Sequence, residues 1–488
     1  MSFLVLAGAS GCSFEEDDCE ILNTCGRCDP ATSNVPIADD CGYFVSASFG
    51  NDANPGTKAA PVQTLQKAVD LAREHTHSIY ACAEEFNEAV VLPTGIKLFG
   101  GLDCEHVFVF PGDLRRTTIA GPVNTVAVTA LGGEWTTRLQ NVTIRAHKAT
   151  QEGGSSIAVM ALHGARFDLR NSDVHAGEGA AGAVGENGSP LWMNAEDGSH
   201  GAEGVEACKS GDHNGGASSV HVCGDQLSVG GQGGSGGKSD DAHAGNDGLP
   251  YLSMSGSGLG GQGQTAASAC SNGADGEDGM PGDNGLGAMG KGRLSALGYF
   301  GLHGQDGAGG LPGQGGGGGG GAQSAGMCMI NAFGDVGAGG GAGGSGGCGG
   351  RGGKGGGFGG ASIGIASVFA TITLDSVDIF TGRGGDGGEG GWPQFGGFGG
   401  MGGKGGAAAD GAGGACAGGK GGRGGTGGKG GGGMGGPSVG IAFVGNPPHL
   451  HNTIVVPGEG GYGGPAATAE GEGQPGDAAE LLELEGAP

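Results

Sequence analysis

The sequence predicts an all-β fold, a right-handed parallel β-helix interrupted by glycine-rich insertions. Two observations carry this expectation. First, a two-strand unit recurs at Thr125 to His147, Ser156 to Gly177, Ser362 to Gly382 and Ser438 to Gly458. Each copy sets an alternating apolar segment before a Leu (Leu139, Leu169, Leu374, Leu450), with a β-branched residue five positions later (Ile144, Val174, Ile379, Val455). Two strands bury no apolar face alone, so the copies are expected to stack as rungs on one core. Second, Asn141, Asn171, Ser376 and Asn452 follow two residues after each Leu. Such residues suit a left-handed bend and a stacked polar ladder.

The totals narrow the function classes. Of 488 residues 126 are Gly, and Asp+Glu outnumber Lys+Arg by 50 to 23, a formal charge of -27. That excess argues against a nucleic-acid backbone as partner, since phosphate binding needs concentrated cation. It favours solubility. After the first residues no apolar run approaches the roughly 20 residues of a membrane-spanning helix.

In chain order, Met1 to Gly11 is apolar, passes through small residues to Cys12, and meets the acids Glu15 to Asp18. This resembles the end of a bacterial lipoprotein signal peptide, with Ala9-Ser10-Gly11-Cys12 as lipobox. The resemblance implies a lipid on Cys12; the lack of a positive residue before the apolar core implies a start further upstream. Residues 1–12 are thus read as signal and 13–41 as a Cys-rich acidic tether. Thirteen Cys are present, and setting Cys12 aside leaves an even number for disulfides in an oxidising compartment. Cys25 and Cys28 are read as structural, without a second pair to complete a zinc site. Cys82 is expected to pair with Cys104, and Cys208 with Cys223. Pairing among Cys270, Cys328, Cys348 and Cys416 stays open.

Residues 42–177 are expected to hold a cap and the first rungs. A turn at Gly50 to Thr57 precedes Pro61 to Val69, and Leu65, Ala68, Val69 and Ala72 sit at helical spacing. The strand, the G-N-D-x-N-P-G-T turn and the P-x-x-T-L-Q-x-A-V helix resemble the N-terminal cap of pectate-lyase-like right-handed β-helix proteins. The helix would plug the first rung and block edge pairing. Strands are expected at Ser78 to Ala83, Ala89 to Leu92 and Ile96 to Phe99, with corners at Gly95 and Gly100-Gly101.

Glycine-rich insertions fill 178–361 and 383–437, around rungs at 362–382 and 438–458. Strand-like pieces interrupt the first at Ser218 to Val222, Tyr251 to Met254 and Met327 to Phe333. Gly-Gly separates Cys348, Arg351 and Lys354, and likewise Lys420, Arg423, Thr426 and Lys429. A period of three matches a left-handed helix with about 3.1 Å rise per residue. Its bare edges allow lateral packing, the cations would face outward, and Gly177, Gly382 and Gly458 would send every run out through one corner. These segments resemble PGRS-like bacterial surface proteins and polyglycine-II bundles. Residues 459–488 form a glycine-rich and acidic tail, in which Ala478 to Gly486 is expected to be a short helix or a frayed end.

Chemistry is sparse on this reading. Cleaving a glycan needs two carboxylates facing one bond. Asp168, Asp173 and Arg170 come nearest to a constellation, with Asp375 and Asp378 in another unit, and both sets read as solvated faces. His449 and His451 share a strand face but lack a third metal ligand. Asp275, Glu277, Asp278 and Asp283 lack the spacing of a calcium loop. Gly-x-Gly-x-x-Gly matches carry no information in so glycine-rich a chain. No catalytic residue, metal or cofactor is expected, and the chain is read as not an enzyme. Trp392, Phe395 and Phe398 form the expected contact patch. The expected role is a lipid-anchored structural or adhesive protein of the cell envelope or extracellular space, meeting polysaccharide or extracellular matrix and no nucleic acid. One alternative is a polysaccharide-binding or polysaccharide-cleaving β-helix, which requires coaxial carboxylates in adjacent rungs. Another is ice or surface binding by a flat polyglycine-II bundle.

Overall fold

The computed structural model describes residues 28–30, 37–75, 78–105, 108–112, 115–189, 191, 193–209, 213–238, 240–251, 256–324, 328, 336–409 and 412–486. Residues 1–12 with Cys12, and Cys19 and Cys25 of the tether, lie outside them, as do most of 251–254 and 327–333.

The chain is mostly β, with parallel sheets and little helix. Strand β1 (Gly42–Val45) precedes the helix α1 (Leu65–His75). Then come β2 (Ser78–Cys82), β3 (Glu85–Phe86), β4 (Val90–Leu92), β5 (Lys97–Leu102), β6 (Thr117–Ala120) and β7 (Val128–Ala130). They are followed by β8 (Thr136–Gln140), β9 (Val142–Arg145), β10 (Ser156–Ala161) and β11 (Arg166–Ala176). Two hairpins, β12 (Val220–Cys223) with β13 (Gln226–Val229) and β14 (Arg293–Ser295) with β15 (Gly298–Phe300), interrupt the first glycine-rich region. The last strands are β16 (Ser362–Val368), β17 (Thr371–Thr381), β18 (Ser438–Val444), β19 (His449–His451), β20 (Ile454–Val456), β21 (Ala478–Glu483) and β22 (Glu485–Gly486).

Eleven strands form one sheet, in which β1, β2, β5, β8, β11 and β17 pair in parallel succession. A second, six-stranded parallel sheet runs β4, β7, β10, β16, β18, β21. The recurring unit sets the register. Leu139, Leu169, Leu374 and Leu450 stand side by side, and so do Ile144, Val174, Ile379 and Val455. Apart from Leu450, which is exposed at the end of its column, these residues face Val90, Val128, Val159, Ile365 and Ile441 of the second sheet across a single core. Each fully buried aliphatic side chain contributes about 1.5–3 kcal/mol, so stacking like on like multiplies one favourable contact along the column.

Between the Leu and β-branched columns the backbone bends through the left-handed region, with φ of 57° at Asn141, 43° at Asn171, 59° at Ser376 and 46° at Asn452. Asn171 Nδ2 donates to Asn141 Oδ1 at 2.6 Å. At the start of the column α1 presses Leu65, Ala68, Val69 and Ala72 into the core. The Glu88 carboxylate accepts from the Leu65 and Gln66 amides at 2.7 and 3.0 Å, which satisfies otherwise free donors of the first helical turn.

The tail differs from its expectation. Ala478–Glu483 is a strand paired to β18, because β18 offers a free edge and a strand satisfies both backbones. Leu482 and Leu484 then join Leu294 and Tyr299 of β14 and β15 in covering the outer face of the second sheet.

The glycine-rich segments are laced together by backbone hydrogen bonds at every third residue. Gly385, Gly388 and Gly391 donate to Gly360, Gly357 and Lys354 at 2.7–2.8 Å. Gly421, Gly424 and Gly427 donate to Gly400, Gly397 and Gln394 at 2.8–3.0 Å. Adjacent backbones lie so close that a Cβ on Gly343 would run into the carbonyl oxygen of Gly316. One expectation is corrected here: the cations do not all face outward. Lys429 is 5% exposed, its ammonium held by Glu389 at 2.7 Å and by the Trp392 ring at 3.9 Å from the centroid.

Five disulfides lie among the described residues: Cys28–Cys41, Cys82–Cys104, Cys208–Cys328, Cys223–Cys348 and Cys270–Cys416. The expected Cys208–Cys223 pair is therefore corrected. Cys28–Cys41 and Cys82–Cys104 close short loops of sequence separation 13 and 22, whereas lateral packing of distant glycine-rich segments brings together the other three pairs, 120, 125 and 146 residues apart. No helix among the described residues is long and apolar enough to cross a membrane.

Candidate functional site

Two adjacent surfaces carry the chemistry. The first is the outer face of the eleven-stranded sheet around the bend of β11 and β17. Strand alternation sends Leu169, Leu374, Val174 and Ile379 inward, which leaves Asp168, Arg170, Asp173, Asp375, Asp378 and Phe380 on the other face. Parallel pairing then aligns Arg138 with Asp168, Gln140 with Arg170 and Asp375, and Asp173 with Asp378.

These acids divide into two kinds. Asp168 is buried and saturated: Arg138 Nε donates to it at 2.7 Å and Arg170 Nε at 3.0 Å. That hydrogen bond, with the nearby Asp375 charge, raises the pKa of Arg170. Breaking such a pair would strand a buried charge, so Asp168 holds the face together. Asp173 forms an ion pair with Arg116, while Asp375 accepts from Ser376 Oγ at 3.1 Å. Asp173 and Asp378 are register partners on neighbouring strands, whose backbones lie about 4.8 Å apart. His175 stacks on Phe380, ring centroids 5.1 Å apart, and burial pushes its pKa down. His451 aligns with Asp375 on the next strand, and His449 with Thr373.

The second surface begins where β17 ends. The segment from Arg383 to Lys404 exposes every third residue, and Trp392, Phe395, Phe398 and Met401 are 49–58% exposed along one edge. At about 3.1 Å per residue these side chains recur about every 9 Å. Arg423 stacks on Phe398 at 4.7 Å and Arg383 on Tyr462 at 4.5 Å. Side chains of the next segment fix the row: Asn187 accepts from the Trp392 amide at 2.8 Å, and Asp197 from the Phe398 amide at 2.7 Å.

The acidic run 275–283 is also explained. Asn272, Asp275, Asp278 and Asn284 accept from the amides of Ala417, Lys420, Arg423 and Lys429 at 2.7–2.9 Å. In a Gly-Gly-x run the third amide meets no neighbouring carbonyl, and an Asx side chain supplies the acceptor. The sequence carried the signal in the three-residue spacing of these acceptors, matched to that of Lys420, Arg423 and Lys429.

No family model matches the chain, and no curated protein matches it. Among solved structures it is similar to a GH136 lacto-N-biosidase from Eubacterium ramulus, at 17% identity and a TM-score of 0.21 over 27% of this chain and 26% of that one. An alginate lyase from Paenibacillus sp. is similar at 10% identity and a TM-score of 0.15, over 30% of this chain and 51% of that one. The chain thus spans about a quarter and about half of these proteins, and at such TM-scores the likeness assigns no residue a role. Both are carbohydrate-active enzymes, and the expectation that this chain is not an enzyme is corrected accordingly.

Proposed function

We propose that this protein binds an extended polysaccharide along the edge formed by Trp392, Phe395 and Phe398 and cleaves it at the Asp173 and Asp378 pair. In this reading the parallel sheets are the faces of a right-handed β-helix and the glycine-rich segments a polyglycine-II bundle packed against it. The observation that carries the proposal is the register of Asp173 with Asp378, at the end of the same segment that exposes the aromatic edge. Flat rings take the apolar faces of sugars while leaving their hydroxyls in water. The aligned carboxylates supply what glycan cleavage needs, an acid and a nucleophile or base on one bond. Display at the cell envelope, with a lipid on Cys12, is the location this activity would serve.

The test is a binding and turnover screen on soluble neutral and uronate polysaccharides. Trp392→Ala and Phe398→Ala should each weaken binding about tenfold, the equivalent of about 1.4 kcal/mol of lost stacking. Asp378→Asn should abolish turnover and leave binding intact. Wild-type affinity in both aromatic variants would overturn the binding edge, and unchanged turnover in Asp378→Asn would overturn the cleavage site.

A further inference from the structure

A cleft of about 730 Å³ opens beside the β12–β13 hairpin, and the Cys223–Cys348 disulfide and Glu196 line it. His221 stands two residues before Cys223 on β12, so the two side chains share a face. Ligand atoms of His221, Cys223 and Cys348 all lie within 4.8 Å of one another. His221 Nε2 is buried and makes no hydrogen bond, with Glu196 Oε2 3.7 Å away. Among the described residues no other group of three His, Cys, Asp or Glu side chains converges in this way.

A buried nitrogen whose nearest carboxylate oxygen lies beyond hydrogen-bond distance is costly, and two sulfurs joined to each other cannot ligate. We propose that this cluster is a redox-gated site for zinc or a similar thiophilic divalent ion, closed in the oxidised protein and opened by reduction. Cys223, Cys348 and His221 are its ligands, and Glu196 is the fourth. Tetrahedral bonds of about 2.0–2.3 Å place neighbouring ligand atoms roughly 3.3–3.8 Å apart. The imidazole and carboxylate already stand at that separation, so the sulfurs must part and Glu196, which lies outside the converging trio, must swing its carboxylate toward them.

The opening step balances with a dithiol as reductant. One dithiol thiolate attacks the Cys223–Cys348 bond, and its second thiol resolves the mixed disulfide. The dithiol is oxidised to its cyclic disulfide, and two electrons and two protons pass to the cysteines. The metal then displaces those two protons.

The test uses the full chain, reduced with dithiothreitol, freed of reductant without air, and alkylated with iodoacetamide with or without zinc. Peptide mass spectrometry should show zinc protecting Cys223 and Cys348 at least tenfold over Cys82, Cys104, Cys270 and Cys416. Cobalt should add one equivalent of thiolate charge-transfer absorption, absent from the oxidised protein, and His221→Ala should weaken its binding at least tenfold. Equal alkylation of all these cysteines overturns the proposal, whether or not the reduced chain keeps its fold. A cobalt signal that survives in a Cys223→Ser, Cys348→Ser double variant overturns it as well.

Discussion

At the scale of single residues, the bends are set by side chains that tolerate left-handed backbone, and Asn171 and Asn141 also bond to each other. Asn171 combines a φ of 43° with a 2.6 Å bond to the buried Asn141. Asn171→Ala gives up both, and a loss of about 1–3 kcal/mol is expected in denaturant unfolding. His175 makes a pH prediction. Burial lowers its pKa in the fold, so the unfolded chain binds the proton more readily. Stability from this group is complete above its ordinary pKa of 6.5 and falls as pH drops from there through the folded value. Urea midpoints of wild type and His175→Gln should therefore diverge between pH 7.5 and pH 5.5, with the wild type losing more. Parallel curves would show that His175 senses no burial. The columns at these bends were legible in sequence because a strand's fixed period ties Leu139, Leu169, Leu374 and Leu450 to their Asn or Ser partners. The alignment of Asp173 with Asp378 followed from the same offsets, as did that of Asp168 with Arg138; the ion pair of Asp173 with Arg116 did not, since Arg116 lies outside the recurring unit, just before β6.

At the scale of elements, the glycine-rich segments hold together because their backbones approach within hydrogen-bond distance on several sides, which no other residue permits. Gly343→Ala would place a methyl against the Gly316 carbonyl and break a period of bonds on both neighbours. The expected outcome is a loss of more than about 2 kcal/mol, read as a fall in thermal midpoint and earlier tryptic cleavage of 336–361. An unchanged midpoint would mean that this approach does not occur in solution. The three-residue phase made lateral packing foreseeable, but not which segments meet. Neither the Cys208–Cys328 bridge nor the β14–β15 hairpin follows from local pattern: in the apolar stretch Leu294 to Leu302, Leu294 and Tyr299 are buried because they cover β16 and β18, while Leu297 stays exposed. Ala478–Glu483 looked helical from its Leu and Glu content, and the free edge of β18 overrode that propensity.

At the scale of the whole molecule, a charge of -27 sits on a scaffold whose aromatic edge already has its nearest cations engaged by Glu389, Trp392 and Phe398. A polyanion approaching this surface meets net repulsion. Neutral polysaccharides should bind at least tenfold more tightly than polyuronates at low salt, and the gap should narrow as salt screens the field. Polyuronate preference at low salt would reverse the electrostatic argument. The binding edge requires that the glycine-rich segments be an ordered platform. Amide hydrogen exchange on the oxidised chain tests this most directly, by comparing residues 336–361 and 382–406 with β16, β17 and β18. Protection in the glycine-rich segments within about tenfold of the strands is expected; exchange at the rate of an unstructured chain would contradict the platform and the binding edge built on it.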